Sequence, residues 1–398
     1  MKKFFSIICA VILICSCAYI YDVCSGFKIT IAIDELMSNK IVDVYDDSAE
    51  GSMNISDCKI MYNQLSDKDK KVYDTIFKAL SNHRSKAYIT TVKDSEHAFE
   101  IVKCVLSDHP EIFYFSGKCV FYTNGILEFT YDYTKQETNE IKARIDSAVN
   151  EALPIMESKK TPYEKSLCAF EWIISNTTYD SENLDKVGEL SSISTIDGVF
   201  LNHKAVCTGY AKAYQYLLNR LGIPAVMVTG DATENDKAER HAWVCQELGQ
   251  EYYFSDPTWG DSYEKSISNE FISHTYFCIN SSQLNVSHTP DERYDFISSD
   301  AKKYNYFYKE GFALDEYSAS KIREIVKTAI VNGDKGFELY FPNDSIYNEA
   351  KYRLIDKGEI YIYLKSVDLL SLKIDSSSVQ YNTNDKQNVI MFAFKDKE

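Results

Sequence analysis

The sequence predicts an α+β protein: a central core flanked by an N-terminal and a C-terminal α/β region. Three observations carry this reading. The opening region mixes amphipathic helices with an Asn-Gly hairpin, a helix opened by Cys207 is followed by several strands, and from about residue 276 the pattern returns to an α/β mixture. The chain has 398 residues, long enough for two or three domains. With 45 % hydrophobic and 14 % aromatic residues but only 15 Gly and 7 Pro, it buries enough apolar surface to fold. Its 43 basic and 59 acidic side chains leave a formal charge of −16 with no basic block. That balance repels a phosphate backbone and excludes nucleic acid as a partner.

Lys2 and Lys3 precede an uncharged run from Phe4 to Ile20, the pattern of an export signal. Three endings fit it: cleavage after Ala18, lipidation of Cys17, or retention as an anchor. The remainder is expected to be extracytoplasmic, secreted or held at the cell envelope, with membrane contact only through this segment. Pattern changes divide the chain into residues 1–25 (signal peptide, lipoprotein or membrane anchor), 26–153 (N-terminal α/β domain), 154–275 (catalytic domain) and 276–398 (C-terminal α/β domain).

Residues 66 to 83 carry Val72, Ile76, Phe77 and Leu80 on one stripe behind a Ser66 cap, and a second helix runs from Asp94 to about Ser107. Cys119–Thr123 and Ile126–Tyr131 flank Asn124-Gly125, a strong hairpin signal. Residues 137 to 158 are helical, and Thr161-Pro162-Tyr163-Glu164 supplies the cap, the N1 proline and the N3 glutamate of another helix. A polar loop from Tyr179 to Lys204 leads to Cys207, which opens a helix ended by Gly222-Ile223-Pro224. Strands follow at Val226–Val228, His241–Gln246 and Glu251–Ser255, with a charged loop from Gly230 to Glu239. Helices near 318–331 and 344–355 and strands near 337–341, 359–364, 369–374 and 388–394 complete the expected pattern.

Seven of the 11 cysteines lie beyond the export region, at 58, 104, 119, 168, 207, 245 and 278. An odd number suggests at least one unpaired thiol, and the absence of a C-x-x-C argues against structural zinc. Cys207 differs from the others. A thiol attacks as thiolate, and a helix N-terminus favours negative charge on sulfur while placing a backbone N–H where an oxyanion donor is wanted. The remaining help comes from an imidazole oriented by a carboxylate. A two-residue turn at Leu248-Gly249 sets His241 directly opposite Asp256. A turn at Gly249-Gln250, which suits a primed turn better than Leu248 does, moves Asp256 to the diagonal position on the same face, whereas an odd-length loop puts the two on opposite faces. Tyr179 is the candidate second oxyanion donor. Trp243 and Trp259 read as scaffold aromatics, and His203, His274 and the other histidines have no nameable partner.

The run Gly198-Val199-Phe200, Ala205-Val206-Cys207-Thr208-Gly209-Tyr210-Ala211, Leu221-Gly222-Ile223-Pro224, His241-Ala242-Trp243 and Asp256-Pro257-Thr258-Trp259 resembles the transglutaminase-like superfamily over about residues 160 to 262. Flanking blocks at His109-Pro110-Glu111-Ile112-Phe113, His288-Thr289-Pro290 and Tyr304-Asn305-Tyr306 are similar to multi-domain bacterial exported members. Val244 departs from the asparagine that many members carry after His-Ala-Trp. The resemblance implies a papain-like/transglutaminase-like core with Cys207 as nucleophile, His241 as base and Asp256 as orienting carboxylate. It further implies thioester-forming acyl transfer on a peptide, protein or cell-wall peptide: with water as second acceptor a cysteine peptidase or amidase, with a lysine amine a cross-linking transglutaminase, and the sequence does not choose between them. No cofactor or metal is expected, since no EF-hand loop, phosphate-binding glycine motif or zinc helix occurs. The competing expectation is a catalytically silent scaffold acting as a surface binding or adhesion module.

Overall fold

The structure is a computed structural model that describes residues 28–31, 58–186, 191–234, 237–264, 271–366 and 379–394. The segment expected to direct export and the strand expected at 369–374 lie outside the described residues. The chain forms two compact units: one runs up to Ala169 and includes Asn176–Thr229, the other comprises Phe170–Ser175 and the chain from Gly230 onward. Among the described residues no helix is long and apolar enough to cross a membrane.

In the first unit, strands β1 (Lys28–Ile31), β2 (Lys86–Tyr88), β3 (Phe115–Tyr122) and β4 (Ile126–Tyr131) form a sheet in the order β1-β3-β4-β2. Helices α1 (Ile60–Gln64), α2 (Asp67–Ser81) and α3 (Ser95–Asp108) accompany it. Ser66 caps α2 by accepting from the Asp69 N–H, and Asp94 caps α3. Tyr122 pairs with Ile126, so three residues close the Asn124-Gly125 hairpin instead of two. The buried carboxylate of Asp108 accepts from the Met61 and Tyr62 N–H groups and from the Tyr73 hydroxyl. It thereby anchors the start of α1 to the end of α3, and burial pushes its pKa up to about 6.

Helix α4 (Lys135–Glu157) and helix α5 (Pro162–Asn176) each begin in a capping box, from Thr134 to Glu137 and from Thr161 to Glu164. The segment expected to be a polar loop is folded. Its ends form β5 (Thr178–Tyr179) and β6 (Lys204–Ala205), paired in parallel, and between them Ile193, Ile196, Val199 and Phe200 are buried. These four apolar residues were outnumbered by polar neighbours, which hid the buried turns from a reading by composition. Helix α6 (Cys207–Arg220) then crosses the unit, with Tyr210, Tyr214, Leu217 and Leu218 fully buried.

In the second unit, β7 (Ala225–Glu234, from Gly230 onward), β8 (Lys237–Leu248), β9 (Glu251–Ser255) and β10 (His288–Pro290) form a sheet in the order β10-β7-β8-β9. The charged loop expected over 230–239 is therefore mostly strand. Its side chains are polar because several face solvent, and Arg240 gains ion pairs with Asp231 and Asp291. The chain continues through α7 (Pro257–Glu264), α8 (Ser281–Leu284), α9 (Tyr306–Glu310), α10 (Ala319–Asn332), α11 (Asp344–Lys351) and α12 (Glu359–Lys365). A further sheet, β11 (Gly336–Tyr340), β13 (Val389–Ala393) and β12 (Gln380–Asn384), has the order β11-β13-β12. Ile322, Val326 and Ile330 of α10 pack with Phe337, Leu339, Ile390 and Phe392. Residues 359–364, expected as a strand, are helical. Ile360, Tyr363 and Leu364 are buried while Ile362 is exposed, an i, i+3, i+4 stripe that a short apolar run conceals.

His274 ties this unit together. Its ring lies 3.1 Å from Glu171 and 3.3 Å from Glu338 and stacks on Tyr306 at 4.4 Å. Burial alone would depress its pKa, but hydrogen bonds and charge from the two glutamates outweigh that and raise it to about 9. The stabilisation is fully present below the unfolded value of about 6.5. It is lost as pH rises through about 9, because the unfolded chain releases a proton that the folded chain keeps. Melting temperatures across that window are expected to fall in the wild type and to lose this part of the slope in His274→Gln. Equal slopes would refute the assignment.

Candidate active site

Cys207 occupies the first position of the 14-residue helix α6. The first bond inside the helix runs from the Tyr210 N–H to the Val206 carbonyl at 3.1 Å. The N–H groups ahead of it, including that of Cys207, carry the positive end of the helix dipole. Val206 itself is tied to Ile193 by a 2.9 Å backbone bond, which fixes the approach to the helix. Gly209 allows that approach, because a Cβ there would stand 2.7 Å from both the Ala205 Cβ and the Ile193 oxygen. Cys207 is 8 % exposed, so its sulfur sits in a protein environment rather than in bulk water. Tyr179 pairs with Ala205 and thus runs beside the strand that leads into Cys207.

The other two candidates belong to the second unit, where the structure brings them together. Leu248 pairs with Glu251, so the hairpin turns at Gly249-Gln250, the second of the two registers considered. The φ values of +64° and +71° at these two residues are those of a primed turn, which matches the twist of antiparallel strands. Leu248 could adopt such a value only under strain, so the Leu248-Gly249 register does not form. Asp256 consequently sits diagonally across from His241 on the same face, and His241 Nε2 donates to Asp256 Oδ2 at 2.8 Å.

Asp256 also caps α7. Its Oδ1 accepts from the Thr258 N–H at 2.9 Å and the Trp259 N–H at 3.1 Å, with Pro257 at the first helical position, where no N–H is needed. Burial, the largest single influence, works against ionisation. The His241 charge and hydrogen bond, with those of His288, outweigh it and hold the carboxyl well below the usual range. His288 was not singled out from sequence as a site residue. Its Nε2 lies 3.2 Å from the same Oδ2. The His288-Thr289-Pro290 block was visible, but its partner lies 32 residues away, and no local spacing reveals that.

Trp243 is fully buried, with its ring 4.8 Å from His288, while the half-buried Trp259 lies 5.7 Å from His241 and 4.5 Å from His288. Among the described residues, His241, Asp256 and His288 are the one group able to offer three metal-ligand atoms within 4.8 Å of one another. The spacings of 2.8 and 3.2 Å to one shared oxygen are those of N–H···O bonds, so the group is satisfied without an ion. Cys119, Cys245 and Cys278 are core thiols whose pKa values burial pushes up.

Residues 150–259 match the family model described as the transglutaminase-like superfamily. This segment is a transglutaminase-like core. It has the mixed helix and sheet of an α+β class. Cys207, His241 and Asp256 all fall within the transglutaminase-like core, and His288 falls beyond it. No curated protein matches the chain. Among solved structures, a TGase is 21 % identical over 32 % of this chain and 34 % of its own, with a TM-score of 0.27. A candidate cysteine protease from Cytophaga hutchinsonii is 22 % identical over 32 % of this chain and 43 % of its own, with a TM-score of 0.25. A candidate protease from Parabacteroides distasonis is 14 % identical over 33 % of this chain and 28 % of its own, at 0.23. The chain thus spans less than half the length of each of these proteins.

Proposed function

We propose that the chain is an exported cysteine enzyme that hydrolyses peptide or cell-wall amide bonds through a thioester, with Cys207 as nucleophile, His241 as base and Asp256 as orienting carboxylate. The observation that carries the reading is the buried His241–Asp256 bond of 2.8 Å within a transglutaminase-like core that also contains a cysteine at a helix N-terminus. With Nε2 committed to Asp256, Nδ1 is the ring nitrogen assigned to proton exchange with sulfur. The Cys207 thiol passes its proton to His241, and the thiolate attacks the amide carbonyl carbon. The C–N bond breaks as the imidazolium returns the proton to the departing amine. Water then adds to the thioester, giving its proton to His241, and release of the acid restores the thiol.

Two measurements test this reading. Iodoacetamide is expected to label Cys207 faster than the more exposed Cys168, because the helix N-terminus and the proposed base favour its thiolate, while burial holds the thiols of Cys119, Cys245 and Cys278 protonated at neutral pH. Equally slow labelling of every thiol would favour a silent binding module. A panel of peptides and muropeptides, read by mass spectrometry with a labelled primary amine present, separates the two acyl acceptors. Cleavage alone supports hydrolysis. Incorporation of the amine into a glutamine-containing acceptor would replace it with cross-linking.

A further inference from the structure

We propose that His288 is a positioning residue for the active site: a second clamp on the Asp256 carboxylate that fixes how His241 is held. The inference rests on the reading of His241 as the base. Asp256 Oδ1 is spoken for by the Thr258 and Trp259 N–H groups, and Oδ2 is shared by His241 at 2.8 Å and His288 at 3.2 Å. Both oxygens are therefore held from two directions, and rotation of the carboxylate would break bonds at each. One donor at each oxygen would suffice to satisfy a buried carboxylate. Four donors over-determine its orientation, the condition for holding a catalytic partner to a fraction of an ångström.

The state of His288 follows from its surroundings. It is 1 % exposed and faces Asp256 at the end of β9, His241 and Trp243 of β8, Trp259 of α7, and Tyr276 at 5.6 Å. Among the described residues, Asp256 and His241 are the titratable groups bonded or stacked against it, together with the Tyr276 phenol. Burial lowers its pKa, opposed by Asp256, so the ring is neutral at neutral pH. A neutral ring that donates through Nε2 must accept at Nδ1, and the Ser287 hydroxyl stands 2.9 Å from Nδ1 to donate there. The chain holds this ring in place through backbone pairing. His288 lies opposite Ala232 on β7, and the Ser287 carbonyl accepts from the Thr233 N–H at 2.7 Å. Arg240, next to His241, grips Asp291 with two bonds of 2.8 Å, fixing β8 to the residue just beyond β10.

The donated bond has an electrostatic consequence. The Nε2–H of His288 draws on the same oxygen that stabilises the His241 imidazolium, so it tempers that stabilisation and sets the protonation midpoint of His241 as well as its orientation. His288→Met removes the donor, whereas His288→Gln keeps an N–H able to reach Oδ2. In the Cys207→Ala protein, where sulfur no longer titrates, the His241 ring is followed by NMR across pH. His288→Met is expected to raise its proton affinity about threefold to tenfold, with His288→Gln close to the parent. In the protein with Cys207 intact, kcat/KM is expected to fall about tenfold in His288→Met and to recover to within about threefold in His288→Gln.

Should His288→Met fail to fold, Ser287→Ala serves as the second variant. It keeps the ring but removes the donor that settles its tautomer, and a smaller shift in the same direction is expected. An unchanged His241 midpoint, or a loss of kcat/KM that glutamine does not repair, would overturn the role and leave His288 as packing. Failure of the enzyme reading itself would show differently, as turnover that survives Cys207→Ala. The titration, which needs no turnover, still decides the clamp in that case.

Discussion

Cys207→Ala is expected to abolish turnover, lowering kcat by roughly 10⁵–10⁶-fold, to what substrate binding and oxyanion donors sustain without a nucleophile. The size of the effect follows from the chemistry. Without sulfur no thioester forms, and the adjacent Thr208 hydroxyl, buried and far less acidic than a thiol, does not take over as nucleophile. Stability should change little, because the substitution removes a single buried atom from a first-turn position and leaves the Val206 and Gly209 backbone contacts intact. His241→Ala is expected to fall nearly as far, and the double variant no further than the worse single one, because the two residues act in one step. Steady-state rates with a cleaved peptide measure all three. Turnover that persists in Cys207→Ala after folding is verified by circular dichroism would end the assignment.

Much of the local structure around the candidate site was legible in the sequence because its signals are local. Thr161-Pro162-Tyr163-Glu164 is a complete helix start within four residues, and the structure shows both halves of its capping box. Cys207 opens α6 where the apolar spacing placed it. Asp256-Pro257 also forms a cap and an N1 proline in the structure, a local pattern that the sequence reading, fixed on the pairing with His241, did not use. What escaped depended on contacts distant in sequence. The β8–β9 hairpin stayed open between two registers in the sequence, and the positive φ at Gly249 and Gln250 selects the second. Residues 359–364 alternate poorly, and only their packing side distinguishes helix from strand. His288 and His274 each take their meaning from carboxylates on other segments, Asp256 for one, Glu171 and Glu338 for the other. A single sequence offers no periodicity that links such positions.

Asp256→Asn tests the orienting carboxylate with almost no change of shape, and its expected effect is a fall in kcat of about 10³–10⁴-fold. The amide oxygen can still accept the Thr258 and Trp259 N–H groups, so the cap on α7 survives. The amide nitrogen then faces His241 and His288 as a donor, where the wild-type oxygen accepted from both. Each ring must turn its Nε2 into an acceptor and move its proton to Nδ1. For His288 that change is harmless, since the Ser287 hydroxyl can accept as readily as donate. For His241 it is fatal to catalysis, because the nitrogen assigned to the sulfur then already carries a proton. Asp256→Ala differs in kind: it leaves two ring donors and two backbone donors buried without an acceptor, at a cost to stability of about 3–5 kcal/mol. Acid unfolding supplies a second readout. The wild-type carboxyl titrates well below its unfolded value of about 3.9, so the stability it contributes is complete above that value and drains away as pH falls towards the folded one. Asp256→Asn should lose that part of the acid slope while remaining folded at neutral pH. A variant with wild-type rate, or one with an unchanged acid slope, would show that Asp256 is only a helix cap.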